Sequence, residues 1–125
     1  MNYNRVILSG HLTRDPEIRY VGDGNAVAKF SIAINRKLRG GKEAVDYVDI
    51  VTWGKLAEAC NAYLRKGSGA LVEGQLRNRD YEKDGEKRRV TEVVARDVIF
   101  GNRPNGAPEP ANAEESDDEF DGAQF

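Results

Sequence analysis

Apolar residues recur at every second position between residues 28 and 34. Ala28, Phe30, Ile32 and Ile34 alternate with Lys29, Ser31, Ala33 and Asn35. Because successive side chains of a strand point to opposite faces, this pattern predicts a strand with one buried face. A chain whose apolar residues alternate in this way is expected to fold as a sheet or barrel, with few helices.

The remaining segments predict four more strands and one helix. The predicted strands, in chain order, cover residues 6–12, 28–35, 45–53, 70–81 and 88–100, with a short extended piece at 18–21. The only helical spacing places Leu56, Cys60, Tyr63 and Leu64 on one face. Five strands with a helix between the third and fourth are typical of an OB-fold barrel, an all-β architecture whose exposed face often binds oligonucleotides.

The charge distribution divides the chain into a basic body and an acidic tail. Residues 1–103 hold all 19 basic residues and 14 acidic ones, a net charge of +5, whereas the segment after Arg103 holds seven acids and no base. Three prolines at 104, 108 and 110 open that segment. We therefore predict one domain over 1–103, and a disordered, Pro-containing linker with an acidic tail over 104–125.

One face of the predicted third and fourth strands combines rings with guanidinium groups. Tyr47 and Trp53 share a face of the third strand, and Arg77, Arg79 and Tyr81 share a face of the fourth. Rings can stack on unpaired bases without regard to sequence, while arginines pair with phosphates. Core or interface packing is the ordinary alternative for each ring alone, and the grouping argues against it.

Further expectations concern the surroundings of this face. The core is expected to hold Val72, Gly74 and Leu76 of the fourth strand, together with Tyr20, Phe30 and Tyr63. The basic residues expected at phosphates are Arg5, Arg36, Lys37, Arg39, Lys42, Arg77, Arg79 and Arg88.

An enzyme, a metal site and a membrane span all lack support in the sequence. Asp46 and Asp49 fall on opposite faces of one strand, so they do not converge on a metal, and no nucleophile is placed beside a base. One cysteine, Cys60, and one histidine, His11, are too few for a structural zinc site. No apolar run approaches the roughly 18 residues of a membrane span, and residues 1–5 lack a secretory signal. We expect a cytoplasmic, cofactor-free binding protein.

Several segments, taken in order, resemble the bacterial single-stranded DNA-binding proteins. The resemblance covers roughly residues 1–101 and is carried by the segments NRVILSG (4–10), DPEIRY (15–20), WGKLAE (53–58), YLRKGS (63–68) and VEGQLR (72–77). It implies an OB-fold homotetramer that coats single-stranded DNA during replication, recombination and repair, without catalysis. The family's stacking aromatics correspond to Tyr47, Trp53 and Tyr81. A further family aromatic corresponds to Leu38, which cannot stack as a ring does.

The resemblance also gives the tail an expected role in recruiting replication and repair proteins. Family members end in an acidic tip that closes with Pro-Phe, whereas Gln124 stands in the proline position here. The residues expected to bind partners are Asp117, Asp118, Glu119, Phe120, Asp121 and Phe125. Two other functions stay open at this point: an interaction module built on the same fold, and an OB-fold that binds RNA.

Overall fold

The computed structural model describes residues 1–102 and contains six strands and one α-helix. The strands are β1 (Val6–Leu12), β2 (Glu17–Val21), β3 (Asn25–Lys37), β4 (Glu43–Trp53), β5 (Gly69–Lys83) and β6 (Glu86–Phe100), and helix α1 (Gly54–Tyr63) joins β4 to β5. A 3-10 turn at Arg39–Gly41 lies in the β3–β4 connection. The predicted order of five strands with a helix after the third is confirmed. The short extended piece is a further strand, β2, which pairs with β3.

Five of the strands close into a barrel. The sheet runs β1-β5-β6-β4-β3, and pairing of His11 with Ala33 and of Leu12 with Ile32 joins β1 back to β3. All pairs are antiparallel except β4 with β6, which is parallel and consists of two residue pairs. The architecture is that of an OB-fold.

A bulge and a glycine allow β5 and β6 to bend around the barrel. The register shifts at Glu73/Gly74, so that Arg96 of β6 has no partner between Ala95 and Asp97. A Cβ at Gly74 would overlap the backbone of Val94 and lie 2.9 Å from the Ala95 Cα. Such bulges increase local twist and curvature, and only glycine permits this close approach.

The core lies inside the barrel and is capped by the apolar face of α1. Phe30, Ile32, Ile50, Val72 and Val93 are at most 1% exposed and form its centre. Cys60 and Leu64 from the helix region join the same cluster. The alternation between Ala28 and Ile34 thus buries one face of β3, as predicted.

Two residues expected in the core are exposed. Leu76 is 48% exposed, because β5 extends beyond the barrel after Gly74 and its residues from Gln75 onward have no layer over them. Tyr20 is 63% exposed, because it lies on β2, an edge strand that pairs only with β3. Tyr63 is half-buried and packs against Phe100, with ring centroids 5.5 Å apart, and Phe30 is buried as expected.

The predicted linker and tail lie outside the described residues. The boundary at 103/104 and the partner-binding residues of the tail therefore stay predictions. Within residues 1–102, no helix is long and apolar enough to cross a membrane.

Candidate nucleic-acid interface

Strand β4 presents two aromatic rings on the outer face of the barrel. Tyr47 is 69% exposed and Trp53 is 50% exposed, although both belong to a strand whose opposite face is buried at Ile50. Between them Val51 is only 5% exposed, because it lies between Lys29 of β3 and Val94 of β6, its neighbours in the ladder. The two rings stand about 20 Å apart along the strand, and the exposed Asp49 and the low, apolar Val51 lie between them on the same face.

Strand β5 adds the predicted guanidiniums and a third ring. Arg77, Arg79 and Tyr81 alternate along one face, and cross-strand pairing places them opposite Glu92, Val90 and Arg88 of β6. Tyr81 is 38% exposed. Because paired residues of neighbouring strands share a face, the residues of β6 on this side belong to the same surface.

A groove of about 330 Å³ brings these two sets of residues together. Its walls and floor are formed by residues of five strands: Arg19, Val21, Val27, Lys29, Val51, Trp53, Arg77, Arg79, Glu92 and Val94. Valines provide an apolar floor, and four cationic side chains and Trp53 surround it. We call this surface the groove face and include Tyr47 and Tyr81, which lie on the same side of the sheet.

Sequence reasoning missed two of the cations in this groove, Arg19 and Lys29. The alternation of β3 identifies Lys29 only as a polar strand residue, and Arg19 lies in the short extended piece at 18–21. Only the register between strands shows that these two cations belong to the groove. Lys29 pairs with Val51, and Arg19 pairs with Val27, whose partner on the other side is Trp53. Alternation within one strand does not reveal which residues of other strands stand beside it.

Glu92 is a nearly buried carboxylate within the groove. It is 7% exposed, and its Oε1 accepts a hydrogen bond from Arg79 Nε at 3.2 Å. The Arg79 Cζ in turn lies 5.9 Å from the centroid of the Tyr81 ring, within the range of a cation–π contact. Among the described residues, Arg77 makes no ion pair, although it stands directly opposite Glu92. The two neighbouring arginines therefore have different electrostatic surroundings.

Two of the predicted phosphate ligands are engaged with carboxylates, and neither of them lines the groove. Arg36 Nε lies 2.9 Å from Asp46 Oδ2, on the side of the β3–β4 ladder that also carries Ile34. Arg5 lies 2.5 Å from Glu73 Oε2. Contacts with Tyr3 and then Glu73 raise the pKa of Arg5, and the Asp46 carboxylate raises that of Arg36.

The other predicted cations lie at the ends of the two long hairpins. Lys37 of β3 lies on the same face of the β3–β4 ladder as Tyr47 of β4. Arg39 and Lys42 lie at the β3–β4 connection, where the Lys42 carbonyl accepts a hydrogen bond from Leu38 N at 2.7 Å. Leu38 is 41% exposed there. Arg88 stands opposite Tyr81 and lies 3.4 Å from Glu86.

The acidic residues do not assemble into a metal site within the described chain. Asp46 pairs with Arg36, while Asp49 accepts a hydrogen bond from Ser31 Oγ on the other face, as the strand alternation predicted. No group of three His, Cys, Asp or Glu residues within 1–102 is placed to hold a metal ion. Cys60 is fully buried, and this burial raises the pKa of its thiol to about 12.

Comparison with known proteins identifies the family. Residues 3–101 match the model of the single-strand binding protein family. The chain belongs to this family. The match spans every strand of the barrel and therefore includes the whole groove face.

Relatives and a solved structure agree with this membership. The chain is 42% identical over 120 residues to the single-stranded DNA-binding protein of Clostridium tetani, an alignment covering 91% of this chain and 83% of that protein. It is 47% identical over 109 residues to the single-stranded DNA-binding protein of Bacillus cereus, covering 85% of this chain but 64% of that longer protein. The solved Plasmodium falciparum SSB complex with ssDNA superposes with a TM-score of 0.74 at 29% identity, covering 80% and 96% of the two chains.

Proposed function

We propose that this chain binds and coats single-stranded DNA, by stacking bases on Tyr47, Trp53 and Tyr81 and by pairing phosphates with the cations around them. The observation that carries the proposal is the groove face, where exposed rings stand among arginines and lysines over an apolar floor. Rings favour unpaired bases and cations favour phosphates, so the combination suits a single strand of any sequence. The names of the relatives support the same ligand.

The phosphate contacts are assigned according to position. Arg77, Lys29 and Arg19 border the groove and are the first choices, followed by Lys37, Arg39, Lys42 and Arg88 at the hairpin ends. Arg5 and Arg36 would have to exchange their carboxylate partners for phosphates, which lowers the net gain from each contact. Arg79 remains on the groove face but shares its charge with Glu92.

A fluorescence titration tests the proposal. Trp53 is the only tryptophan of the chain, so its emission reports on the groove alone. Added poly(dT) is expected to quench it with an affinity that falls steeply as salt rises. Duplex DNA and poly(rU) serve as comparisons: stronger binding of RNA would favour the RNA-binding alternative. Unchanged Trp53 emission with saturating poly(dT) would exclude this groove as the site.

We further propose that the protein works as a homotetramer in the cytoplasm, on the nucleoid, during replication, recombination and repair. The first five residues of β1, 6–10, pair with β5 on one side only, and Ile7 on this strand is 55% exposed. An open strand edge with an apolar side chain favours pairing with another copy. Light scattering at micromolar concentration is expected to give the mass of four chains, and a monomer would contradict the assembly.

The acidic segment is proposed to recruit replication and repair proteins. Phe125, an aromatic residue near Asp117, Asp118, Glu119 and Asp121, suits a basic pocket with an apolar floor. Phe120 is the alternative anchor. Pull-down of repair proteins by the full chain should be lost with Phe125→Ala. If only Phe120→Ala abolishes it, the internal phenylalanine is the anchor.

A further inference from the structure

We infer that Glu92 gives the two groove arginines different roles: Arg77 binds phosphate, whereas Arg79 is a positioning residue that Glu92 holds beside Tyr81. The inference rests on the proposed function, since it assigns roles within the same DNA-binding groove. It differs from the expectation that both arginines are equivalent phosphate ligands.

Glu92 holds Arg79 in a fixed orientation. The Glu92 side chain is 9% exposed and therefore poorly screened by solvent, and its Oε1 accepts a hydrogen bond from Arg79 Nε at 3.2 Å. A guanidinium has five N–H donors in a rigid plane, so a bond at Nε fixes the orientation of the whole group. Arg79 is therefore oriented before any DNA arrives.

The two arginines differ in the net positive charge that they offer to a phosphate. Counterions condensed on a single strand are released when a net positive charge replaces them. Each phosphate neutralised makes the slope of log K against log salt steeper by about 0.7. The positive charge of Arg79 is already balanced by Glu92, whereas Arg77 makes no ion pair among the described residues. Arg77 therefore contributes a full positive charge to a phosphate, and Arg79 contributes much less.

The position of Tyr81 gives Arg79 its other role. The guanidinium carbon lies 5.9 Å from the ring centroid, on the face that Arg79 and Tyr81 share along β5. A fixed cation beside a ring limits the orientations that the ring samples, so a base meets a stacking platform already in place. The chain of contacts from Glu92 through Arg79 to Tyr81 thus affects stacking rather than counterion release.

Salt dependence separates the two roles. Arg77→Ala is expected to reduce the slope of log K against log salt by about 0.7, whereas Arg79→Ala should change it by less than half as much. Arg79→Ala should instead weaken binding about two- to fivefold at high salt, where screening leaves stacking as the main term. Glu92→Gln keeps an acceptor for Nε but removes the charge, so it should steepen the slope. Equal flattening by Arg77→Ala and Arg79→Ala would overturn the inference.

A double-mutant cycle and a DNA-free measurement complete the test. Glu92→Leu should weaken high-salt binding in the wild-type background and have no further effect in Arg79→Ala, because it acts through that residue. A purely structural role of Glu92 would persist in both backgrounds. The matched control is Asp80→Leu, which removes a 3.2 Å partner of Arg89 outside the groove. It is expected to leave binding unchanged.

In the free protein, the NMR signal of Arg79 Nε–H should be protected from exchange in the wild type and Glu92→Gln, and lost in Glu92→Leu. Rapid exchange in the wild type would refute the positioning role even if the protein binds DNA. If Arg79 Nε–H is protected but the protein fails to bind poly(dT), the Glu92–Arg79 ion pair is present, and both the proposed function and the roles of the two arginines are rejected.

Discussion

The side-chain amide of Asn4 makes two hydrogen bonds with the backbone of Leu76. Asn4 Nδ2 donates to the Leu76 carbonyl at 2.7 Å, and Leu76 N donates to Asn4 Oδ1 at 2.9 Å. The amide thus imitates a strand residue and continues the β1–β5 ladder beyond Val6, where β1 begins. This contact satisfies the backbone of β5 at the point where the strand leaves the barrel.

Replacing this amide should lower stability without touching the groove. Asn4→Ala removes both bonds and is expected to reduce the free energy of unfolding by about 1 kcal/mol, since each net hydrogen bond is modest and the site is exposed. Urea denaturation measures the change. Asn2→Ala, an exposed neighbour, is the control, and equal losses in both variants would mean that the two bonds contribute nothing to stability.

A methyl group at Gly74 should be much more damaging than one at Gly69. The Cβ of Gly74→Ala would overlap the Val94 backbone, whereas that of Gly69→Ala would find its nearest atom at 3.5 Å, an ordinary contact. We expect Gly74→Ala to destabilise the fold by about 1–3 kcal/mol and Gly69→Ala to change it little. Thermal unfolding followed by circular dichroism compares them, and similar melting temperatures would refute the close approach at the bulge.

Loss of any one ring of the groove face should weaken single-strand binding by about 1–3 kcal/mol, roughly 5- to 150-fold. Tyr47→Ala, Trp53→Ala and Tyr81→Ala are measured by fluorescence anisotropy of a labelled oligothymidylate. Tyr20→Ala is a close control, because Tyr20 is 63% exposed, like Tyr47 at 69%, but lies on the opposite face of β2 from Arg19. A loss with Tyr20→Ala equal to that with Tyr47→Ala would argue against a stacking surface confined to the groove face.

Period-two reasoning succeeded where a strand has one buried face and failed where it does not. It identified Tyr47 and Trp53 as outward rings, because their alternating partners, such as Ile50, fill the core. It placed Leu76 and Tyr20 wrongly, since one lies beyond the barrel and the other on an edge strand. Apolar character alone does not show which parts of a sheet have no second layer packed against them.

The cations were harder to place, because their roles depend on pairing between distant strands. A sequence pattern could not show that Glu92 stands opposite Arg77, nor that Asp46 binds Arg36. For the same reason Arg19 and Lys29 were missed. Cross-strand register, rather than composition, decides which positive charges are available to a ligand.

Stability should fall at high pH through Cys60. Burial raises the pKa of this thiol to about 12, whereas the unfolded thiol has its ordinary value near 9, so the unfolded chain loses its proton first. Between these two values the unfolded state binds fewer protons, and the free energy of unfolding decreases as pH rises. Urea titrations of wild type and Cys60→Ala from pH 8 to 11 should show the steeper decline in the wild type. Parallel curves would contradict the raised pKa.

Removing residues 109–125 should increase affinity for single strands at low salt. This segment holds seven acids, whereas residues 1–103 carry a net charge of +5, so we expect the segment to compete with phosphates for the same cations. The gain should shrink as salt screens the attraction. Binding of poly(dT) by the full chain and by the chain ending at residue 108 is compared at two salt concentrations, and equal affinities at low salt would remove the competition.

The closure of the barrel also sets the order in which this chain can fold. The hairpins β3–β4 and β5–β6 join neighbours in sequence, whereas β1 must find β5, and β4 must find β6 through only two residue pairs. Contacts between distant segments cost more chain entropy before they stabilise anything, so high contact order slows folding to milliseconds or longer. We therefore expect the hairpins that carry the rings on β4 and β5 to form early, and the groove between them to form only after the later, non-local pairing of β4 with β6.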